Sequence, residues 1–162
     1  MKKFIALFAL MVITLASYAQ VYKMYSTRNY HNQLRLNTMT GEVQQIQDDG
    51  QSWIVCSARE ISGDKESRFR LYETQNMWTF ILLDSYNGRL WQVQYSAQDL
   101  DNLFCIPINK DELGSDNEKC IFSIQPLTSM YQYYLINDRT GDMWKFQWST
   151  KGDDYRWIEK FK

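Results

Sequence analysis

Two sets of side chains in this sequence have the chemistry to hold a small polar ligand. The first is His31, Gln33, Arg35 and Asp48, which fall on one face of a single hairpin if its strands alternate. A guanidinium, an imidazole, a carboxylate and an amide so placed can bond hydroxyls or charged groups from several directions. The second is Gln47, Gln94 and Gln147, which recur at one position of an internal repeat. An amide both donates and accepts, and Tyr and Trp faces stack on the C–H-rich faces of sugars. Together they make a glycan the leading ligand class. The plainer alternatives are that the polar face stays in water and that the glutamines bond to neighbouring loops.

The same inventory argues against catalysis. One His and three scattered Cys do not suggest a Cys–His nucleophile, and there is no C-x-x-C, H-E-x-x-H or Gly-rich phosphate loop. Carboxylates cluster at bends, as Asp48-Asp49, Asp99 with Asp101, and Asp153-Asp154. Their recurrence is first a matter of turn chemistry. A Ca²⁺ site or a facing acid/base pair would need geometry that spacing alone does not give. No catalytic residue, resident metal or cofactor is expected, and a hydrolase is the least favoured class.

The elements that must position these groups follow from three glycines. Gly41, Gly88 and Gly141 each follow a β-rich stretch ending in Asn or Asp: LRLN, ILLD and YLIN. Tyr22, Phe69 and Phe122 fall in register upstream, and the glycines lie 47 and 53 residues apart. Such a period implies repeated units that bury their faces on one another. Each unit reads as four strands, with a hairpin turn in which Asn or Asp bonds the backbone and Gly supplies positive φ. The expectation is a single all-β domain over residues 20–162, with repeats at about 20–60, 68–110 and 120–162. Twelve strands in three repeats favour a β-trefoil-like arrangement, with a small propeller-like one as the alternative. The stretch NDRTGDMW (137–144) is similar to the blade turn of quinoprotein-type propellers, although Gln44 replaces the Trp in the first copy. The repeated Q-x-W of ricin-type lectins occurs only once, at Gln51-Ser52-Trp53.

If Asp84 faces Arg89 across the turn, cross-strand pairs can be written for each repeat. In the second, Leu82/Trp91, Phe80/Val93 and Trp78/Tyr95 form an aromatic face expected to be core. Leu83/Leu90, Ile81/Gln92 and Thr79/Gln94 form a face expected to be partly wet. The third repeat matches it with Leu135/Trp144, Tyr133/Phe146 and Tyr131/Trp148. In the first repeat the aromatic positions become Arg35/Gln44, Gln33/Ile46 and His31/Asp48. That face is either exposed or a polar pocket walled by the other repeats' aromatics. Exposure of Trp78, Trp91, Trp144 and Trp148 separates a glycan site from core.

Of the three cysteines, Cys105 and Cys120 flank a charged linker, and a bridge between them is the pair expected first. A bond from Cys56 to either, or three buried thiols, are the alternatives. Residues 1–19 carry Lys2-Lys3, an apolar run and Ser17-Tyr18-Ala19, the pattern of a secretory signal too short to span a bilayer. Export to a periplasm or the cell exterior is expected. The formal net charge of −1, more negative once Lys2 and Lys3 leave, and the lack of a basic cluster make nucleic acid a poor partner. No later stretch suggests a transmembrane segment. The expected function is a small exported binding module, with carbohydrate or a protein as partner. The alternative is a structural or inhibitor-like interaction domain working through loop 57–67 or 109–119.

Overall fold

The computed structural model describes residues 20–97, 99–114 and 121–161. Twelve strands follow in order: β1 (Tyr22–Ser26), β2 (Asn32–Asn37), β3 (Val43–Gln47), β4 (Ser52–Cys56), β5 (Phe69–Glu73), β6 (Thr79–Asp84), β7 (Leu90–Gln94), β8 (Phe104–Pro107), β9 (Phe122–Pro126), β10 (Gln132–Asn137), β11 (Met143–Gln147) and β12 (Trp157–Lys160). One short helix, α1 (Ala58–Ile61), lies in the first linker. The strands form three antiparallel sheets, β1-β2-β3-β4, β5-β6-β7-β8 and β9-β10-β11-β12, each paired in chain order. No sheet is closed, and every described strand pair stays within one repeat.

The central hairpins have the register that the turn chemistry predicts. Leu82 faces Trp91 and Leu83 faces Leu90 in the second sheet, Leu135 faces Trp144 in the third, and Arg35 faces Gln44 in the first. Each turn is locked the same way. The N–H of Gly41, Gly88 or Gly141 donates to the carbonyl of Asn37, Asp84 or Asn137. The side-chain oxygen of that Asn or Asp accepts from backbone N–H groups two or three residues on. Gly41 sits at φ +79°, and a Cβ there would meet the Ile61 side chain at 2.3 Å. Position 41 therefore needs glycine for both conformation and space.

The sheets stack face to face. Leu34, Leu36 and Val43 of the first sheet pack against Phe80, Leu82, Trp91 and Val93 of the second. Ile81, Leu83 and Leu90, on the second sheet's other face, pack against Tyr133, Leu135, Trp144 and Phe146 of the third. The middle sheet is thus buried on both sides. This corrects the expectation of a partly wet Gln-bearing face in the second repeat, where Gln92 is 0% exposed. The polar face of the first repeat remains on the outside of the stack. Gln33, Tyr22, Met24 and Ile54 are exposed there and Arg35 is half-buried. Among the described residues, no aromatic wall from another repeat covers it.

A recurring backbone stitch joins one sheet to the next. The Thr38 N–H donates to the Val21 carbonyl in its own sheet (2.7 Å), and the Thr38 carbonyl accepts from Phe69 N–H in the next (2.9 Å). Ser85 repeats this, donating to Arg68 (2.9 Å) and accepting from Phe122 (3.0 Å). The linkers seal the same end. Ile61 packs at Gly41, and Leu113 and Phe122 pack at Gly88. At the middle turn the Asp84 carboxylate meets Arg68 in a buried pair, Nη2 to Oδ2 at 2.7 Å. Burial pushes the Asp84 carboxyl above its ordinary value, against the pull of Arg68.

The disulfide joins Cys56 of β4 to Cys105 of β8, linking the outer strands of the first two sheets. This replaces the expected Cys105–Cys120 pair. Face-to-face stacking brings the last strands of consecutive sheets together, so sequence proximity across the linker does not decide the partner. Cys120 lies outside the described residues, as do residues 1–19 with the secretory pattern.

Two stability measurements test this architecture. The bridge spans 49 residues. By loop-closure entropy, Cys56→Ser/Cys105→Ser should lose about 4 kcal/mol in denaturant titration. Asp84→Asn keeps the turn-bonding group used at Asn37 and Asn137 but removes the buried counter-charge of Arg68. It should cost about 3–5 kcal/mol, whereas a loss within the error of the titration would show the pair to be dispensable.

Candidate functional site

The end of the stack away from the Gly turns is open, and it carries one cleft per repeat. Each cleft contains the recurring glutamine. Gln94 lines the largest, of about 570 Å³, together with Asn29, Trp78, Tyr95, Asp99 and Asn102. Gln47 lines a second, of about 390 Å³, with His31, Asn32, Asp48 and Asp49. Gln147 lines a small one, of about 160 Å³, with Tyr131, Trp148 and Tyr155. The geometry follows from register. Each glutamine ends the third strand of its sheet, opposite the first residue of the second strand: Asn32, Thr79 or Gln132. The residue just before that strand places a ring over the cleft: His31, Trp78 or Tyr131.

The three glutamines are not equivalent in bonding. Gln47 Nε2 donates to the Ala97 carbonyl at 3.2 Å, tying the first sheet to the loop after β7. Gln147 Nε2 donates to Tyr155, and its Oε1 accepts from Gln132. The Gln94 amide makes no side-chain hydrogen bond among the described residues and is half-buried at the cleft wall. Of the recurring set, Gln94 alone keeps both amide ends available to a ligand.

The four residues of the first repeat divide. His31 and Asp48 meet at the cleft end, Nδ1 to Oδ2 at 3.0 Å, both well exposed. Arg35 bonds Gln44 and lies over the Tyr22 ring on the outer face. Gln33 is exposed on that same face. The structure therefore joins His31 and Asp48 to Gln47 and separates Arg35 and Gln33 from them.

Among the tryptophans named as discriminators, Trp91 (3% exposed), Trp144 (6%) and Trp148 (0%) are core. Trp78 is half-buried and faces the largest cleft. Its ring rests on Tyr95 at 5.3 Å between centroids. The Tyr95 hydroxyl donates to the Met77 carbonyl at 2.6 Å, which fixes the ring beneath Trp78. Burial pushes the Tyr95 phenol above its ordinary value. Sequence reasoning grouped Trp78 with the core and missed Asn29 and Asn102 altogether. The usable signal was the ring repeated ten residues before each turn glycine.

The loop that forms the far wall is held from the neighbouring sheet. Gln45, fully buried, donates to the Ser96 carbonyl (2.6 Å) and accepts from Ser96 N–H (3.2 Å). Gln92 makes the accepting half of this clamp on the third sheet, taking the Ser149 N–H at 3.2 Å, while its Nε2 has no partner. At the free end of the stack the same position is Lys145. Among the described residues no group of three metal-ligating side chains comes together, and no helix is long and apolar enough to cross a membrane.

Removing the clamp should disturb the cleft wall. Gln45→Leu strands two backbone groups of Ser96 and should cost about 2 kcal/mol of stability. Amide exchange should accelerate first in residues 96–102. Unchanged exchange there would mean that the loop holds itself. No protein-family model, curated protein or solved structure matches this chain.

Proposed function

We propose that this protein is a small exported binding module without catalytic apparatus, and that it binds carbohydrate in the cleft beside Trp78. The observation that carries the reading is the pairing of one accessible indole face with an amide free of side-chain partners. Trp78 and Gln94 line the same cleft, and Asn29 and Asn102 add hydrogen-bonding side chains. An aromatic platform ringed by amides suits a sugar, whose C–H face stacks and whose hydroxyls both donate and accept. The burial of Trp91, Trp144 and Trp148 narrows this reading to one cleft.

Export is favoured by the pattern at residues 1–19 and by the Cys56–Cys105 bond, which persists most readily in an oxidising compartment. We also infer a blade-like arrangement in place of the trefoil. A trefoil barrel needs strands of different repeats to pair, whereas these four-stranded meanders pair only internally and stack by their faces. The interaction-domain alternative loses ground because both linkers have structural employment, with Ile61 and Leu113 seated at turn glycines.

A glycan array followed by titration calorimetry on residues 20–162 tests the reading. Trp78→Ala should weaken binding at least about tenfold, the scale of one lost aromatic contact of ~1.4 kcal/mol. Gln94→Ala should weaken it less, while Arg35→Ala on the outer face should leave it intact. Silence across the array, or undiminished binding by Trp78→Ala, would sink the proposal.

A further inference from the structure

The two larger clefts are neighbours, since Asn29 and Ala97 line both. They form one groove running from Trp78, across the junction of the first two sheets, to His31. Its walls are chemically lopsided: neither cleft has a lysine or arginine among its described lining residues. Arg28 is adjacent in sequence but is committed elsewhere, to Glu73 (3.0 Å) and to the carbonyls of Gln75 (2.7 Å) and Thr74 (2.9 Å). His31 is engaged with Asp48.

Two carboxylates in the groove have no cationic partner among the described residues. Asp99 accepts from Asp101 N–H and from the Asn102 amide. Asp49 accepts from the N–H and the amide of Gln51. These bonds fix each carboxylate in place without neutralising it. A second, separate observation points to a ligand here. Asn32 lines the second cleft, is 1% exposed, and its Nδ2 has no hydrogen-bond partner. A buried amide donor without an acceptor is costly unless something entering the cleft supplies one.

We infer that the groove takes an amine-bearing sugar oligomer, with one residue stacked on Trp78 and a protonated amino group between Asp49 and Asp99. The inference rests on the carbohydrate reading and narrows it to a ligand class. Sugar oxygens offer the acceptor that Asn32 lacks, and the ammonium offers the positive charge that the walls lack. The array of repeats also explains why the site sits at this junction. The third cleft is lined by Lys151 and has no unpaired carboxylate in its lining, so it lacks this preference.

The test compares a β-1,4-linked glucosamine tetramer with its fully N-acetylated form and with the glucose tetramer, at mildly acidic pH. At low salt the glucosamine tetramer should bind about tenfold more tightly than the other two, a scale set by two partly exposed charge pairs. The preference should shrink at about 0.5 M NaCl, where screening is short-ranged. Asp49→Asn should pull the ratio of the affinities towards one, and Trp78→Ala should weaken the glucosamine tetramer while circular dichroism stays native. Equal binding of the three tetramers would overturn the amine preference and leave the carbohydrate reading standing. Binding of none would overturn both. A tetralysine peptide that binds as tightly as the glucosamine tetramer would also overturn the inference, by showing that charge alone is recognised.

Discussion

A four-stranded sheet has two faces, and only a sheet held between two others can hide both. That constraint organises the molecule. The second repeat is apolar on either side of β6 and β7 because it has a neighbour on each. The outer repeats can afford polar or half-exposed residues on one side only. The stitch through Thr38 and Ser85 makes the stacking directional, since each turn lends its carbonyl to the first strand of the next sheet. The glutamine clamp at the other end of the sheets repeats the same direction. Register within a sheet and order between sheets are therefore fixed by the same few backbone groups.

Buried polar side chains give this stack its specificity at the cost of desolvation. Gln45 reaches both the N–H and the carbonyl of Ser96, so an apolar side chain at that place would leave two backbone groups without partners. Arg68 and Asp84 are more demanding, because burial disfavours the charge on each; their mutual contact offsets it, helped by the Tyr86 N–H on Asp84 and by Asp64 beside Arg68. The pair occurs only in the middle repeat, where the turn is buried. Its counterparts at Asn37 and Asn137 are neutral and bond the turn alone.

The hairpins, their register and the four-strand unit were legible in the sequence because they are local: alternation, an Asn or Asp, and a glycine at fixed offsets. What was not legible depended on which sheet lies against which. Gln92 looked wet by composition, yet it is buried because its partner, the Ser149 N–H, lies 57 residues away. Cys56 found Cys105 because consecutive outer strands approach each other, a contact with no local signal. Alternation put His31, Gln33 and Arg35 on one outer face, but it could not show that His31 and Asp48 lie at the cleft end while Arg35 bonds Gln44 away from it. Trp78 continues the aromatic face and packs against the core of the first two sheets, yet it stays half-buried at the cleft, a degree of exposure that position alone could not give.

The Cys56–Cys105 bond makes the stack unequal along its length. The disulfide ties the first and second sheets together, while among the described residues the third is held to the second by packing, one stitch and one glutamine bond. In a quasi-one-dimensional assembly, loss of order begins at the least tethered end. Thermal fraying is thereby directed away from the junction that carries Asn29, Trp78 and Gln94. The groove survives excursions in which the C-terminal sheet loosens, and the molecule has a durable end and a sacrificial flank.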